Sequence, residues 1–154
     1  MTGVTPNAPA PDPADWRVAA WRSFLRAHAT VVRELERDLD NDQRLPLAWY
    51  DVLLTLAQAP QRRLRMAQLA DQVLLSRSGL TRLVDRLERE GLVRREPSLD
   101  DARGTYTVLT VDGLHRLREA VPTHLASVQR HWLSHFDDAE LATLERLMAR
   151  IGAE

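Results

Sequence analysis

The 154-residue chain contains no cysteine and no lysine. Without cysteine, neither a disulfide framework nor a thiol redox switch can form. Without lysine, every basic side chain other than histidine is one of 21 arginines. With abundant alanine, that bias points to a GC-rich coding sequence more than to special chemistry. No apolar run approaches the ~20 residues needed to cross a bilayer. Residues 1–15, MTGVTPNAPAPDPAD, have neither a basic start nor an apolar centre, so they do not read as a signal peptide. Their Pro/Ala content makes a disordered tail the expectation. These absences point to a cytoplasmic protein with no membrane partner. The six glycines are scattered and form no phosphate-cradling loop. There is also no HExxH and no nucleophile beside a base. No catalytic residue and no cofactor is therefore assigned, and the chain does not read as an enzyme.

The formal net charge of −1 argues at first against a nucleic-acid partner. Its distribution reverses the argument. Residues 1–60 hold 6 arginines against 8 acids, and residues 104–154 hold 5 against 7. Residues 61–103 hold 10 arginines against 7 acids, net +3. Positive charge gathers in the middle of the chain, as a phosphate-binding lobe requires.

That middle segment has a definite order. Met66 to Val73 carries Leu69, Ala70 and Val73 on one side and reads as a short helix. Leu74-Leu75-Ser76 is a tight connection, with Ser76 able to cap the next helix. In that helix Leu80, Leu83, Val84 and Leu87 are spaced i, i+3, i+4, i+7, which makes one buried stripe. Gly91 suits a left-handed helix stop. Two strand-like runs, Leu92–Glu96 and Thr105–Thr110, then flank a charged tip containing Asp101, Arg103 and Gly104. Burying the leucine stripe turns Arg77, Ser78, Thr81, Arg82, Asp85 and Arg86 outward. Arginine can pair with both guanine acceptors in a major groove, and short hydroxyls reach phosphates or base edges. Ser76 at the helix start, Arg95 on the first strand of the hairpin, and the tip residues complete the expected DNA-contacting set. The predicted fold is mainly α with a small β-hairpin wing: a winged helix-turn-helix between long terminal helices.

The flanks are helical and amphipathic. Asp15 can cap a first helix from Trp16 to about Asp38, followed by a polar linker, Asp40 to Arg44. Pro46 starts a second helix that ends near Pro60, and Gln61–Arg65 suits a short strand pairing with the wing. Val111 to Phe136 reads as one long helix with a kink expected at Pro122. Asp137 or Asp138 starts a last helix. Residues 16–44 and 111–154 therefore read as dimerisation arms around a DNA-binding lobe at 45–110, because one small lobe cannot cover all their apolar faces. A two-fold homodimer would present two reading helices to an inverted-repeat operator in double-stranded DNA, with half-sites centred ~10 bp apart or a helical multiple of that.

The stretch LADQVLLSRSGLTRLVDRLEREGLVRRE, the wing motif Asp101-Ala102-Arg103-Gly104 and the following Val108-Leu109-Thr110 resemble the MarR family of bacterial transcription regulators (multiple antibiotic resistance regulators). The resemblance extends over about residues 16 to 152. Many members carry a second arginine where this chain has Ala102, which implies a weaker grip by the wing. The resemblance also implies a small anionic or phenolic effector bound between the dimer helices and the DNA-binding lobe. Trp16, Trp21, Trp49 and Tyr50 could stack on an aromatic ligand, with Arg22, Arg26, His28 and Asp51 as polar contacts. Trp16 or Trp21 with Asp51 partly resembles the pairing of a urate-sensing subgroup. His131 and His135, spaced i, i+4, could in principle bind zinc, but without a thiolate or a second histidine pair they read as ordinary histidines, and no metal is assigned. The functional reading is a repressor released by a small anionic or aromatic ligand. The alternative is a helical protein–protein interaction module that kept the winged shape and lost specific DNA binding. The Arg/Ser/Thr face of the second helix argues against it.

Overall fold

The structure, a computed structural model, describes residue 10 and residues 12–73, 77–98 and 104–151. The first helix, α1 (Trp16–Gln43), begins where Asp15 accepts a hydrogen bond from the Arg17 amide at 2.9 Å. Pro46 precedes α2 (Leu47–Gln58) and offers no capping side chain. Glu36 of α1 supplies the cap instead, its carboxylate accepting from the Leu47 amide at 2.9 Å. A short 3-10 turn then leads into β1 (Arg63–Arg65), followed by α3 (Met66–Gln72) and α4 (Arg77–Arg89). Strands β2 (Val93–Pro97) and β3 (Thr105–Leu109) make the wing; α5 (Val111–His131) and α6 (Asp138–Ala149) close the chain.

The sheet order is β1-β3-β2, antiparallel throughout. Leu64 pairs with Thr107 and Arg95 also pairs with Thr107, from opposite sides of β3. Leu53, Leu56, Leu69, Leu80, Val84 and Leu87 are fully buried where α2, α3 and α4 meet. The stripe read from the sequence is thus the inner face of α4, with Leu83 also buried.

Two boundaries differ from the sequence reading. The segment expected to be a linker, Asp40 to Arg44, is helical through Gln43, and only Arg44 leaves the helix, at φ 51°. Contacts to α5 hold this polar stretch in helical form. Gln43 donates from its amide to Thr123 Oγ1 at 2.9 Å, and the Arg116 guanidinium donates to the Gln43 carbonyl. Leu39 is fully buried beneath them. At the other end α5 stops at His131 and does not reach Phe136, because Trp132 leaves helical geometry and Leu133–His135 form a 3-10 turn. Trp132 then packs edge-on against Phe136, ring centroids 4.9 Å apart. The helix runs through Pro122 without a break.

Asp38 ties α1 to α5. Its Oδ2 accepts from Ser127 Oγ at 2.8 Å and Arg130 Nη1 at 3.1 Å, and lies 3.0 Å from His131 Nε2. Desolvation pushes the carboxyl up, but hydrogen bonds from Ser127, His131 and Arg37 outweigh it, so Asp38 titrates below its ordinary value of 3.8. A depressed carboxyl stabilises the fold fully above its unfolded value and loses that contribution as pH falls through the folded one. Asp38→Asn should therefore lower the melting temperature near neutral pH, with the difference from the parent shrinking as pH falls below the ordinary carboxylate range. A constant difference across acid titration would remove Asp38 from this role.

Candidate nucleic-acid interface

Helix α4 presents two faces of opposite character. Opposite the buried stripe lie Gly79, Thr81, Arg82, Arg86 and Arg89, all exposed. Arg82 and Arg86 have no hydrogen-bond or ion-pair partner among the described residues, so their guanidinium donors face solvent. Arg89 donates back to the Asp85 carbonyl of its own helix at 3.2 Å. Arg77 and Ser78 open the helix, but their side chains lie outside the described residues, as do Ser76, Asp101 and Arg103 entirely. Gly91 ends the segment at φ +72°, with its amide donating to the Glu88 carbonyl, so the expected left-handed stop is present.

Asp85 and Arg95, both expected to face DNA, are paired with each other. Arg95 Nη2 donates to Asp85 Oδ1 at 2.5 Å, and Arg95 Nη1 donates to Glu88. The Arg95 amide also donates to Glu88 Oε1 at 3.0 Å. Burial works against the Arg95 charge, yet its hydrogen bonds to Asp85 and Glu88 more than offset this and raise its pKa. The arginine thus clamps α4 to β2 and screens two carboxylates beside the reading face. A contact role for either residue would first have to break this clamp.

The wing root holds groups that the sequence reading did not single out as a site. Arg63 and Arg65 of β1 lie over the Tyr106 ring of β3, 4.7 and 5.4 Å from its centroid. Arg65 also donates to Ser98 Oγ at 3.2 Å, and the Ser98 amide donates to the Gly104 carbonyl at 2.8 Å, closing the base of the loop. A run of alternating arginines in a three-residue strand, facing an aromatic across the ladder, was the available signal.

Thr110 fastens the reading helix to α5. Its Oγ1 donates to the Gly91 carbonyl at 2.7 Å and accepts from the Gly113 amide at 3.0 Å. Its own amide donates to the Leu92 carbonyl at 3.2 Å. The end of α4, the start of the wing and the first turn of α5 therefore meet at one hydroxyl.

The expected ligand residues do not form one cluster. Trp16 is 77% exposed and, at 1.5 Å per helical residue, about 30 Å along α1 from Glu36. Trp21 is 56% exposed and stacks on Phe24, while Arg22 is exposed beside it. Arg26 donates to Ser23 Oγ at 3.4 Å and borders a shallow depression with His131 and Trp132. Trp49 lies apart, beside Arg86, Arg89 and Glu90. Only His28, Tyr50 and Asp51 come together, in a pocket of about 360 Å³ between α1, α2 and α5 that also includes Glu36 and His124. Among the described residues, no group of three or more His, Asp or Glu is placed to hold a metal ion. His131 spends its Nε2 on Asp38.

Known proteins share this arrangement. The profile of the MarR family matches residues 45–104. The regulator PecS of Dickeya dadantii (strain 3937) is 30% identical over 122 residues, covering 76% of this chain and 72% of PecS. Sco3205, a MarR family transcriptional regulator from Streptomyces coelicolor solved in complex with DNA, is 34% identical, with a TM-score of 0.80 over 87% of each chain. AbsC, another MarR family regulator from the same organism, is 33% identical, with a TM-score of 0.83 over 94% of this chain and 97% of that one. With a helix-turn-helix, a two-stranded wing paired with β1 and a solvent-facing arginine row on α4, the chain belongs to the MarR family of DNA-binding transcription regulators, which are not enzymes.

Proposed function

We propose that this regulator is a homodimeric repressor that leaves its operator when a small ligand binds between the helical arms and the DNA-reading lobe. The observation that carries the DNA-reading part is the face of α4: Thr81, Arg82 and Arg86 exposed opposite a buried leucine stripe. Arg82 leads the base contacts, with Arg77, Thr81 and Arg86 in support, and the wing residues Asp101, Arg103 and Gly104 reach the neighbouring groove. Arg82→Ala should cost ~1–3 kcal/mol on an operator selected from random duplexes, and far less on unselected DNA. Unchanged affinity for both would remove α4 from the reading role.

Dimerisation is supported by apolar surface on the terminal helices. Trp21, Phe24, Leu25 and Val32 of α1 are exposed, as are Leu147 and Met148 of α6 and Ile151 just beyond it. A groove of about 290 Å³ between Phe24, Val31, Trp132, Leu144 and Met148 continues that surface. A second copy covering it would set two α4 helices toward successive major grooves of an inverted repeat, about 10 bp apart. We place the protein in the cytoplasm, where its operator would be; no described helix is long and apolar enough to cross a membrane.

Ligand release requires a ligand that prefers a dimer geometry unsuited to the operator. The aromatic part of the expected effector retains support from the Tyr50–His124 stack in the α1–α2–α5 pocket. The anionic part does not, since Arg22 and Arg26 lie elsewhere on α1. Coupling of about 1–3 kcal/mol would be typical and must be reciprocal: operator DNA weakens the ligand by the factor by which the ligand weakens operator binding.

A further inference from the structure

The reading helix and the α5 arm meet at Thr110. On one side α4 ends in a locked stop. The Gly91 amide donates to the Glu88 carbonyl at 3.0 Å and the Leu92 amide to the Leu87 carbonyl at 2.9 Å, with Gly91 at φ +72°. On the other side α5 runs without a break to its anchors on α1, where Thr123 accepts from Gln43 at 2.9 Å and Ser127 donates to Asp38 at 2.8 Å. The Thr110 hydroxyl lies between them and works in both directions. It donates to the Gly91 carbonyl at 2.7 Å and accepts from the Gly113 amide at 3.0 Å. A Cβ on Gly113 would stand 2.0 Å from the Leu92 carbonyl oxygen, so the approach leaves no room for a side chain between them. At 1.5 Å per residue, Thr110 to Ser127 spans about 25 Å, so a turn of about 5° at Thr110 carries the far end by roughly 2 Å.

We propose that Thr110 is a positioning residue for operator recognition: by tying the Gly91 carbonyl to the first turn of α5, its hydroxyl fixes the angle between reading helix and arm, and so sets the half-site spacing that the dimer accepts. A two-fold dimer holds two such joints, and a turn at one is repeated at the other. Two displacements of about 2 Å approach the roughly 3.4 Å that separates neighbouring base-pair spacings. The inference rests on the homodimer proposed above.

The test takes the full-length protein and duplexes whose two half-sites, from an operator selected out of random DNA, stand about 8 to 13 bp apart centre to centre. The readout is the ratio of affinities between the best spacing and those one base pair to either side, in which a loss of folded protein or an added charge cancels. Thr110→Ser keeps both bonds. Thr110→Asp keeps an oxygen for the Gly113 amide, and with it the cap of α5, but at pH 7 has no proton for the Gly91 carbonyl. Thr110→Val keeps the shape and loses both bonds. Parent and Thr110→Ser should favour one spacing about tenfold over its neighbours, and Thr110→Asp and Thr110→Val about threefold or less. A hydroxyl that only caps α5 would leave the Thr110→Asp profile as sharp as the parent's. A hydroxyl that only adds stability would lower every affinity and keep all profiles sharp. Either result, in a parent that is dimeric and selective for spacing, overturns this inference alone. A parent that sediments as a monomer and shows no spacing preference overturns the dimer reading, and this inference with it.

Discussion

Replacing Trp21 and Phe24 together by glutamate should turn the protein into a monomer and lower its operator affinity roughly 100- to 10,000-fold. The two rings stack on each other 5.7 Å apart and are 56% and 46% exposed in the single chain. Two adjacent aromatics left in water are the kind of surface that a partner covers. In a dimer each protomer raises the effective concentration of the other's α4 at the second half-site, so losing the partner costs far more than any one base contact. The two positions are exposed and lie roughly 16 Å or more along α1 from the buried Leu35 and Leu39, so the monomer should keep its helix content. Sedimentation and operator titration check the two parts separately. A parent chain that sediments as a monomer at micromolar concentration would sink the dimer proposal. A variant that stays dimeric would move the interface off this face of α1.

The second large effect is on folding. Gly113 lies in the first turn of α5, where a Cβ would stand 2.0 Å from the Leu92 carbonyl oxygen and 2.8 Å from Leu109 Cδ1. The first contact is with backbone, so no side-chain rotation relieves it. Gly113→Ala must push α5 away from the wing and stretch the Thr110 bonds to Gly91, Leu92 and Gly113. The expected loss is about 3 kcal/mol, the upper end for overpacking, although alanine is intrinsically the better helix former by about 1 kcal/mol. For a chain of this size that is a fall of roughly 6–12 °C in melting temperature. Because Thr110 also anchors the end of α4, operator affinity should drop even where the variant remains folded. A variant melting within a degree of the parent would show that the α5 start is not set by this contact.

Much of the DNA-reading lobe was legible in the chain because its signals are local. The leucine stripe of α4 spans eight residues and Gly91 follows the helix it ends; outside the lobe, Asp137 caps the start of α6. Each of these is set by backbone geometry and burial within a turn or two, so neighbouring residue types suffice to place it. The features that escaped depend on groups far apart in sequence. The polar stretch after Asp38 looked like a linker, yet α5, eighty residues later, holds it as helix through Thr123 and Arg116. Arg95 and Asp85 were each expected to face DNA; the hairpin folds β2 back onto α4 and pairs their charges with each other. The tryptophans seemed one cluster because they share two adjacent helices. Helix rise and facing instead send Trp16 and Trp21 outward and Trp49 toward Arg86. Sequence alone determined the order of helices and strands, the inner stripe of α4 and its stop at Gly91, because those follow from periodicity and capping. The tertiary structure decided which charges are already paired, since electrostatic partners are chosen by distance in space and not along the chain.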